Sequence, residues 1–519
     1  MVVEESKNNF SLKYFKIYFW QLIALVTNLG SMFIVLPFLT VNQDLYGIYA
    51  IVISVSLFFS YADIGFIYSA QKYAAEFYIT NNRLGELKII GFSMFMTSLV
   101  IIIMSSVLLI IACDPELVIK GISSNYENFL ISKKLFVILI FSALITIPLK
   151  LCQIIFSIRL EEYIMQRINI SANIIRLFSI IFLFSNGKYL IVEYFALIQL
   201  FNIIVVIICF HIINKNYSIK FKEIITFIKF DKVQFIKSKY LAFSGFYIMI
   251  IWILYYELDQ IVIGKFLGSS EVAFYAIGFS LLSFIRGLFG ILYSPFMHRF
   301  NYFTGLNDYD GLKKYYKNVV INLSPIIIGI IISFYLFMNN LVVSWVGLSF
   351  EKSIHISKIL ILCNLFAFIS YPTSVLLKSL VQLKKFNIFN SFMPIVFFSI
   401  IYFYFEEIGV VIFAYSKFIV FFLIAIFYTI FYKSYLNENT VTIINDFFIS
   451  HVISTLTVII FSNFIKDFLP YSKSSINLFI VLVTISVSIL LYFISYFLIN
   501  KSSRNYFFVR INHLLNSIK

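Results

Sequence analysis

The sequence predicts an all-α membrane protein that crosses the bilayer about fourteen times. The first observation is composition: 61% of the 519 residues are hydrophobic, 13% are charged, and the mean hydropathy is +0.94. A soluble domain is about half apolar and about a quarter charged, so this chain lacks the polar surface that keeps a protein dissolved. The second observation is that apolar runs of about 20 residues, the length of a spanning helix, recur from end to end.

Fourteen apolar runs, separated by polar or charged breaks, are the predicted spans. In chain order they lie at 17–39, 45–70, 89–112, 131–156, 170–185, 189–213, 240–263, 271–297, 318–338, 356–381, 386–405, 408–432, 445–465 and 475–499. The breaks at Asn186–Lys188 and at Glu406–Glu407 are the shortest, so the helix pairs that they separate are the least secure part of the count.

The distribution of Lys and Arg predicts that both termini are cytoplasmic. With the N-terminus inside, the inner segments carry 27 of these residues and the outer segments nine. Such an excess follows the positive-inside rule and favours an even number of spans. The net charge of +15 is then explained by this bias and by contact with anionic lipid, and it does not indicate nucleic-acid binding.

The longest polar segment, 214–239, is rich in lysine and faces inward in this topology. Isoleucines alternate with its lysines, which predicts either an amphipathic helix in the membrane interface or a solvated basic loop.

An internal repeat divides the chain. Tyr49-Ala50 aligns with Tyr275-Ala276 at an offset of 226, and the run that ends at Pro148 parallels the run that ends at Pro372. Both halves begin inside, so they are parallel repeats of the kind found in transporters. The predicted regions are an N-lobe (1–213), a basic linker (214–239), a C-lobe (240–432), and spans 13–14 with a basic cytoplasmic tail (433–519).

Several stretches of the sequence resemble the polysaccharide transporter family. They are LDQIVIGKFLGSSEVAFYAIGFS from Leu258, SPFMHRF from Ser294, VSWVGLSF from Val343, and YGIYAIVIS and DIGFIYSA in the first half. The most specific element is the motif of Asp259, Gly264, Gly268 and Tyr275. Ala273 departs from it, because the family usually has Gly there.

That family includes the Wzx-type O-antigen flippases of the multidrug/oligosaccharidyl-lipid/polysaccharide exporter superfamily. The resemblance covers spans 1–12, and the two further spans are similar to those of its fourteen-helix members. It implies two six-helix lobes that rock about a central cavity in the bacterial inner membrane. It also implies transfer of an undecaprenyl-pyrophosphate-linked oligosaccharide to the outer leaflet, coupling to protons or sodium, and association with polysaccharide polymerase machinery.

Four cationic side chains lie inside predicted spans and are the candidate substrate-binding residues: Lys150, Arg176, Arg286 and Lys417. Charge in an apolar span is costly and usually functional. Basic groups of this kind would bind a pyrophosphate or an acidic sugar. Arg286 has Gly287 and Gly290 beside it, which would permit close approach of another backbone. The alternative is local: the lysines snorkel to an interface, and Arg176 pairs with Asp63 or a helix-end carbonyl.

Three carboxylates lie in or near the spans, Asp63, Glu257 and Asp259, and two of them have predicted roles. Asp63 is either an ion-coupling site or the counter-ion of a cation in the cavity. Asp259, near the outer end of span 7, is expected to cap the connection to span 8.

Other chemistry is disfavoured. The five histidines lack metal-ligand spacing, and no phosphate-binding loop for ATP is present, so no cofactor is expected. A multidrug extruder of the same superfamily is the nearest alternative, but it would need buried carboxylates. A polysaccharide polymerase or ligase would need a large outer loop, and a membrane scaffold would not need four cations in its spans.

Overall fold

The computed structural model describes residues 2–184, 187, 189–379, 383–436, 440–500 and 504. Within them the regular structure is entirely helical, and the predicted all-α class is confirmed. The chain divides into two compact units, Met1–Ala273 and Phe274–Lys519. The predicted basic tail lies almost entirely outside the described residues.

The first unit contains ten helices of the described residues and the start of an eleventh. They are α1 (Val2–Leu39), α2 (Gln43–Ser60), α3 (Phe66–Ile79), α4 (Arg83–Cys113), α5 (Tyr126–Ile158), α6 (Glu162–Phe184), α7 (Ile191–Tyr217), α8 (Phe221–Ile225), α9 (Lys232–Trp252), α10 (Asp259–Leu267) and the beginning of α11 (Ser269–Tyr293). A π-helical turn, Ile253–Glu257, follows α9.

The second unit holds the rest of α11 and nine further helices of the described residues. They are α12 (Phe296–Gly305), α13 (Tyr309–Leu336), α14 (Met338–Val346), α15 (Glu351–Leu362), α16 (Ala367–Ser379), α17 (Leu383–Ile408), α18 (Val411–Leu436), α19 (Thr440–Ile465) and α20 (Ser475–Ile499).

The described part of each of the fourteen predicted intervals falls on a helix or on consecutive helices. By length and hydropathy, twelve helices of the described residues could cross a membrane, and the pair α15–α16, bent by 45°, would make a thirteenth. The remaining predicted interval, 445–465, falls on α19, which is 26 residues long. The short break near Asn186 does separate two helices, since α6 ends at Phe184 and α7 begins at Ile191.

Several intervals predicted as continuous spans are broken, two of them by a turn of four or five residues. The interval 45–70 contains α2 and α3, separated by a turn in which Ile64 and Gly65 have φ angles of 45° and 74°. A Cβ at Gly65 would lie 2.4 Å from the carbonyl oxygen of Ala242, so α9 packs against this turn. The interval 356–381 contains α15 and α16, and the buried Asn364 between them donates a hydrogen bond to the Leu282 carbonyl (3.2 Å).

The basic segment 214–239 matches neither of its predicted forms. The first turns belong to α7, the short helix α8 follows, and α9 begins at Lys232. Ile219 and Ile224 are buried among the side chains of α4 and its neighbours, and the Phe227 backbone lies against Gly91. The apolar residues therefore anchor this segment to the first unit, and no long interfacial helix forms.

Candidate functional site

The four predicted cations all lie within helices that could span a membrane: α5, α6, α11 and α18. Lys150 and Arg176 belong to the first unit, and Arg286 and Lys417 belong to the second. Each has a different environment, and the environment determines what each side chain can bind.

Lys150 and Asp63 form an ion pair in the first unit. Lys150 follows Pro148 on α5, and its ammonium lies 3.7 Å from the Asp63 carboxylate, which is in the turn between α2 and α3. The same ammonium donates a hydrogen bond to the carbonyl of Ser60 (2.7 Å). The last carbonyl groups of a helix have no partner within the helix, and Lys150 is the hydrogen-bond donor to one of these groups at the end of α2. Both side chains are largely buried, at 17% and 14% exposure, so in this arrangement Asp63 is the counter-ion of Lys150.

Arg176 on α6 is held by neutral amides. Its guanidinium donates to the Asn173 side-chain oxygen (2.8 Å) and to that of Asn202 on α7 (2.6 Å). No carboxylate of the described residues forms a salt bridge with it, so the predicted alternative of a pair with Asp63 is not formed.

Arg286 is half-buried on α11, and its backbone carbonyl accepts a hydrogen bond from the Tyr371 hydroxyl (3.2 Å). A Cβ at Gly290 would meet no atom of the described chain within 4 Å. At Gly290 the expected close approach of another backbone is therefore not found.

Lys417 on α18 is fully buried in the second unit. Its ammonium lies 4.9 Å from the centre of the Phe279 ring and 5.9 Å from that of Phe397. Aromatic faces attract a cation, so these rings help to hold the charge inside the unit. The side chain does not snorkel to an interface.

The motif of Asp259, Gly264, Gly268 and Tyr275 occupies tightly packed positions. Asp259 is buried at the start of α10, and Tyr275 is fully buried on α11. A Cβ at Gly264 would lie 2.7 Å from Ile51 and 2.9 Å from the Val118 carbonyl. Gly268, with φ of 92°, ends α10 immediately before α11.

Sequence reasoning placed Glu257 near the outer end of span 7 but missed its buried partners, Tyr61 and Trp252, which with it form the Glu257 cluster. The Glu257 side chain is in the π-helical turn after α9 and accepts hydrogen bonds from the Tyr61 hydroxyl (3.0 Å) and the Trp252 indole (3.4 Å). Glu257 is 8% exposed. A π turn in a helix frequently marks a functional position, but no sequence pattern signals it here.

A second missed feature is a buried ion pair between Glu86 on α4 and Arg159 at the end of α5. The carboxylate and guanidinium are 2.6 Å apart, and both side chains are nearly inaccessible. The Tyr78 and Tyr217 rings cover the guanidinium at 4.7 and 4.8 Å. In the sequence both charged residues lie in polar segments, where they are indistinguishable from solvated ones.

A third missed feature is a hydrogen-bond network at His451 on α19. One ring nitrogen lies 2.7 Å from the Tyr492 hydroxyl on α20, and the other lies 2.9 Å from the Ser324 hydroxyl on α13. An isolated histidine in an apolar run gives no sign of its partners, which are 41 and 127 positions away.

Comparison with known proteins shows which solved structures share the fold of this chain. No protein-family model matches the sequence, and no curated protein matches it. Among solved structures, the lipid II flippase MurJ in an inward closed conformation gives a TM-score of 0.66 at 14% identity, over 93% of this chain and 97% of that one.

Two transporters of the MOP superfamily are also similar. An inward-facing multidrug resistance MATE family transporter gives a TM-score of 0.57 at 11% identity, over 80% of this chain and 94% of that one. A transporter from Pyrococcus furiosus gives a TM-score of 0.53 at 10% identity, over 82% of this chain and 96% of that one. This chain therefore shares the fold of MurJ over 93% of its length and that of the two transporters over 80% and 82%.

Proposed function

We propose that this protein is a flippase of the multidrug/oligosaccharidyl-lipid/polysaccharide exporter superfamily. It moves an undecaprenyl-pyrophosphate-linked oligosaccharide, the repeat unit of a surface polysaccharide, from the inner to the outer leaflet of a bacterial inner membrane by alternating access. The observation that carries the proposal is the presence of cationic side chains within four spanning helices: Lys150, Arg176, Arg286 and Lys417. The fold match to a protein described as a lipid II flippase supports it.

Cationic groups suit this cargo because the pyrophosphate must leave water. Arg and Lys replace the lost hydration with charge-assisted hydrogen bonds, and the guanidinium does so in a bidentate geometry. Arg286 and Lys150 are assigned to the anionic part of the cargo, with Arg176 and Lys417 in supporting roles. Lys417 is enclosed in the arrangement described above, so its contribution is to the local positive potential.

The Lys150–Asp63 pair offers a means of ion coupling. A proton or a sodium ion on Asp63 would neutralise the carboxylate and leave the Lys150 ammonium available to an anionic ligand. Coupling to an ion gradient would then follow from competition between the carboxylate and the cargo for one ammonium group.

The proposal is tested by charge reversal in a bacterial strain that lacks its own flippase. The wild-type chain should restore the surface polysaccharide, and the Lys150→Glu, Arg286→Glu double variant should abolish it, because the anionic cargo would meet like charge. Lys352→Glu is the matched control, since Lys352 is an exposed residue at the start of α15. Undiminished polysaccharide in the double variant, at equal expression, would reject the cationic mechanism.

A second candidate function is export of organic cations, as in the similar MATE family transporter. The Glu257 cluster favours it, because a buried carboxylate beside Tyr61 and Trp252 is suitable chemistry for an organic cation. The flippase proposal is preferred because cationic side chains lie within four candidate spans, whereas the buried carboxylates of Asp63 and Glu86 are each paired with a cation.

A further inference from the structure

A chain of hydrogen bonds joins three helices of the first unit around Arg176. Arg176 bonds to Asn173 and Asn202 as described above. The Asn173 amide nitrogen donates to the Asn28 side-chain oxygen on α1 (2.7 Å), and the Asn202 amide nitrogen donates to that of Gln199 (3.0 Å). We call these five residues, Asn28, Asn173, Arg176, Gln199 and Asn202, the amide cluster.

The orientation of every amide in the cluster is fixed by Arg176. A guanidinium has five N–H donors and no acceptor, so the side chains of Asn173 and Asn202 must turn their oxygens toward it. Their nitrogens then point away, and the next amides, Asn28 and Gln199, must in turn present their oxygens. All four amide oxygens are therefore used within the cluster.

The groups that remain are hydrogen-bond donors. No described residue accepts a hydrogen bond from the amide nitrogens of Asn28 or Gln199. The Nε atom of Arg176 is buried and also has no partner among the described residues. The cluster thus combines one full positive charge with unused N–H groups.

The cluster lies deep in the apolar spans. Arg176 is 14 residues into α6, and Asn202 is 11 residues into α7. Asn28 is nevertheless exposed on the surface of the unit, and a polar amide facing lipid at this depth would be costly. The exposed side of the cluster therefore suits water or a polar ligand better than lipid.

We infer that the amide cluster binds an oxyanion of the transported molecule, either a sugar carboxylate or its pyrophosphate. An oxyanion accepts several N–H bonds and compensates the guanidinium charge, which the neutral amides do not. An organic cation would be repelled. The inference rests on the proposed function only for the identity of the molecule that carries the oxyanion.

The test measures thermal unfolding of the purified full-length chain in detergent with inorganic pyrophosphate, with glucuronate, and with glucose as the uncharged comparison. At least one anion should raise the unfolding temperature, and glucose should not. Arg176→Gln should weaken the apparent affinity for that anion about tenfold or more, because it removes a charge-assisted contact. Whichever anion loses its effect in this variant identifies the source of the oxyanion.

Two further variants keep the result interpretable. Gln199→Leu removes terminal donors without removing either partner of Arg176, and it should weaken anion stabilisation to a smaller degree. Arg167→Gln is the matched control on the same helix, and it should behave as wild type. If neither anion stabilises the protein, or if Arg176→Gln and Arg167→Gln respond alike, the inference is overturned.

Failure of the site and failure of the flippase proposal are distinguishable. If the wild-type chain fails to restore polysaccharide but its stabilisation by the anion is lost in Arg176→Gln, the site is kept and the function is rejected. If the wild-type chain restores polysaccharide but Arg176→Gln keeps the same response to the anion, the function is kept and the site is rejected.

Discussion

Lys150 contributes both a charge and a backbone cap to the turn between α2 and α3. Its ammonium contacts the Asp63 carboxylate and the Ser60 carbonyl at once. Ile64, which follows Asp63 in the turn, has a left-handed φ of 45°, which a β-branched residue rarely adopts. The ion pair and the packed Gly65 therefore hold a turn that local preferences would not form.

The first prediction concerns this pair. Lys150→Met should destabilise the protein by roughly 1–3 kcal/mol, because it leaves Asp63 largely buried without its counter-ion. The Lys150→Met, Asp63→Asn double variant should be less destabilised than Lys150→Met alone, since both charges are then absent. Thermal unfolding of the purified variants provides the measurement. A double variant with the summed effect of two independent losses would contradict the pairing.

At the residue scale the sequence was informative about which charges lie inside spans and uninformative about their partners. Lys150, Arg176, Arg286 and Lys417 are all in candidate spans, as predicted. Their partners are set by helix packing: Asp63 is 87 positions from Lys150, and Asn202 is 26 positions from Arg176. A hydropathy profile carries no information on such contacts, so the hydrogen-bond partners in the amide cluster and the Glu257 cluster were not predictable.

At the element scale, the connection between α4 and α5 is organised by one carboxylate. Glu116 accepts hydrogen bonds from the Ser123 hydroxyl and from the backbone N–H groups of Gly121 (3.0 Å) and Ser123 (3.2 Å). The Ser123 hydroxyl is the largest cause of a lowered Glu116 pKa, and the Gly121 amide is the next. The Glu116 backbone carbonyl also accepts from Lys265 of α10 (3.2 Å).

The second prediction follows from that lowered pKa. A depressed carboxylate pKa stabilises the fold above the usual glutamate pKa, and the effect is lost as pH falls through the lowered value. Glu116→Gln should therefore speed hydrogen exchange at the Gly121 and Ser123 amides near neutral pH. The difference from wild type should shrink once the pH is below the lowered pKa. A difference independent of pH would show that the charge of Glu116 is not what orders this connection.

The third prediction concerns the helices beyond the repeat. His451→Phe should keep an aromatic ring against Tyr496 but lose both hydrogen bonds, leaving Tyr492 and Ser324 without them. We expect a loss of roughly 1–3 kcal/mol in thermal unfolding. His211→Phe, at an exposed position of α7, is the control and should have little effect. Equal behaviour of the two variants would mean that the network does not fasten α19 and α20 to α13.

Element boundaries show where apolar patterning succeeds and where it fails. The described part of every predicted interval is mainly helical, because an apolar run of about 20 residues has few alternatives in a membrane protein. The break after Ser60, the bend at Asn364 and the π turn before Leu258 were missed. At the break after Ser60 and at the π turn, a side chain from another helix donates a hydrogen bond to a backbone carbonyl. A hydropathy profile averages over such single residues and does not show them.

At the scale of the whole molecule, the described helices and the MurJ comparison agree on the architecture. The fold match covers 93% of this chain at 14% identity, so it is the arrangement of helices that is shared. The internal offset of 226 residues and the positive-inside bias predicted a two-part transporter fold from the sequence alone. The identity of the cargo does not follow from the shared fold, because it depends on a few side chains within the spans.

The central claim, transfer of a lipid-linked oligosaccharide between leaflets, is tested most directly in proteoliposomes. The purified chain is reconstituted with an undecaprenyl-pyrophosphate-linked saccharide placed in the inner leaflet, and an impermeant lectin reports its arrival in the outer leaflet. Wild-type protein should produce a lectin signal that the Lys150→Glu, Arg286→Glu variant does not. The absence of lectin signal for the wild type, with uptake of an organic cation by the same vesicles, would contradict the flippase account and favour cation transport.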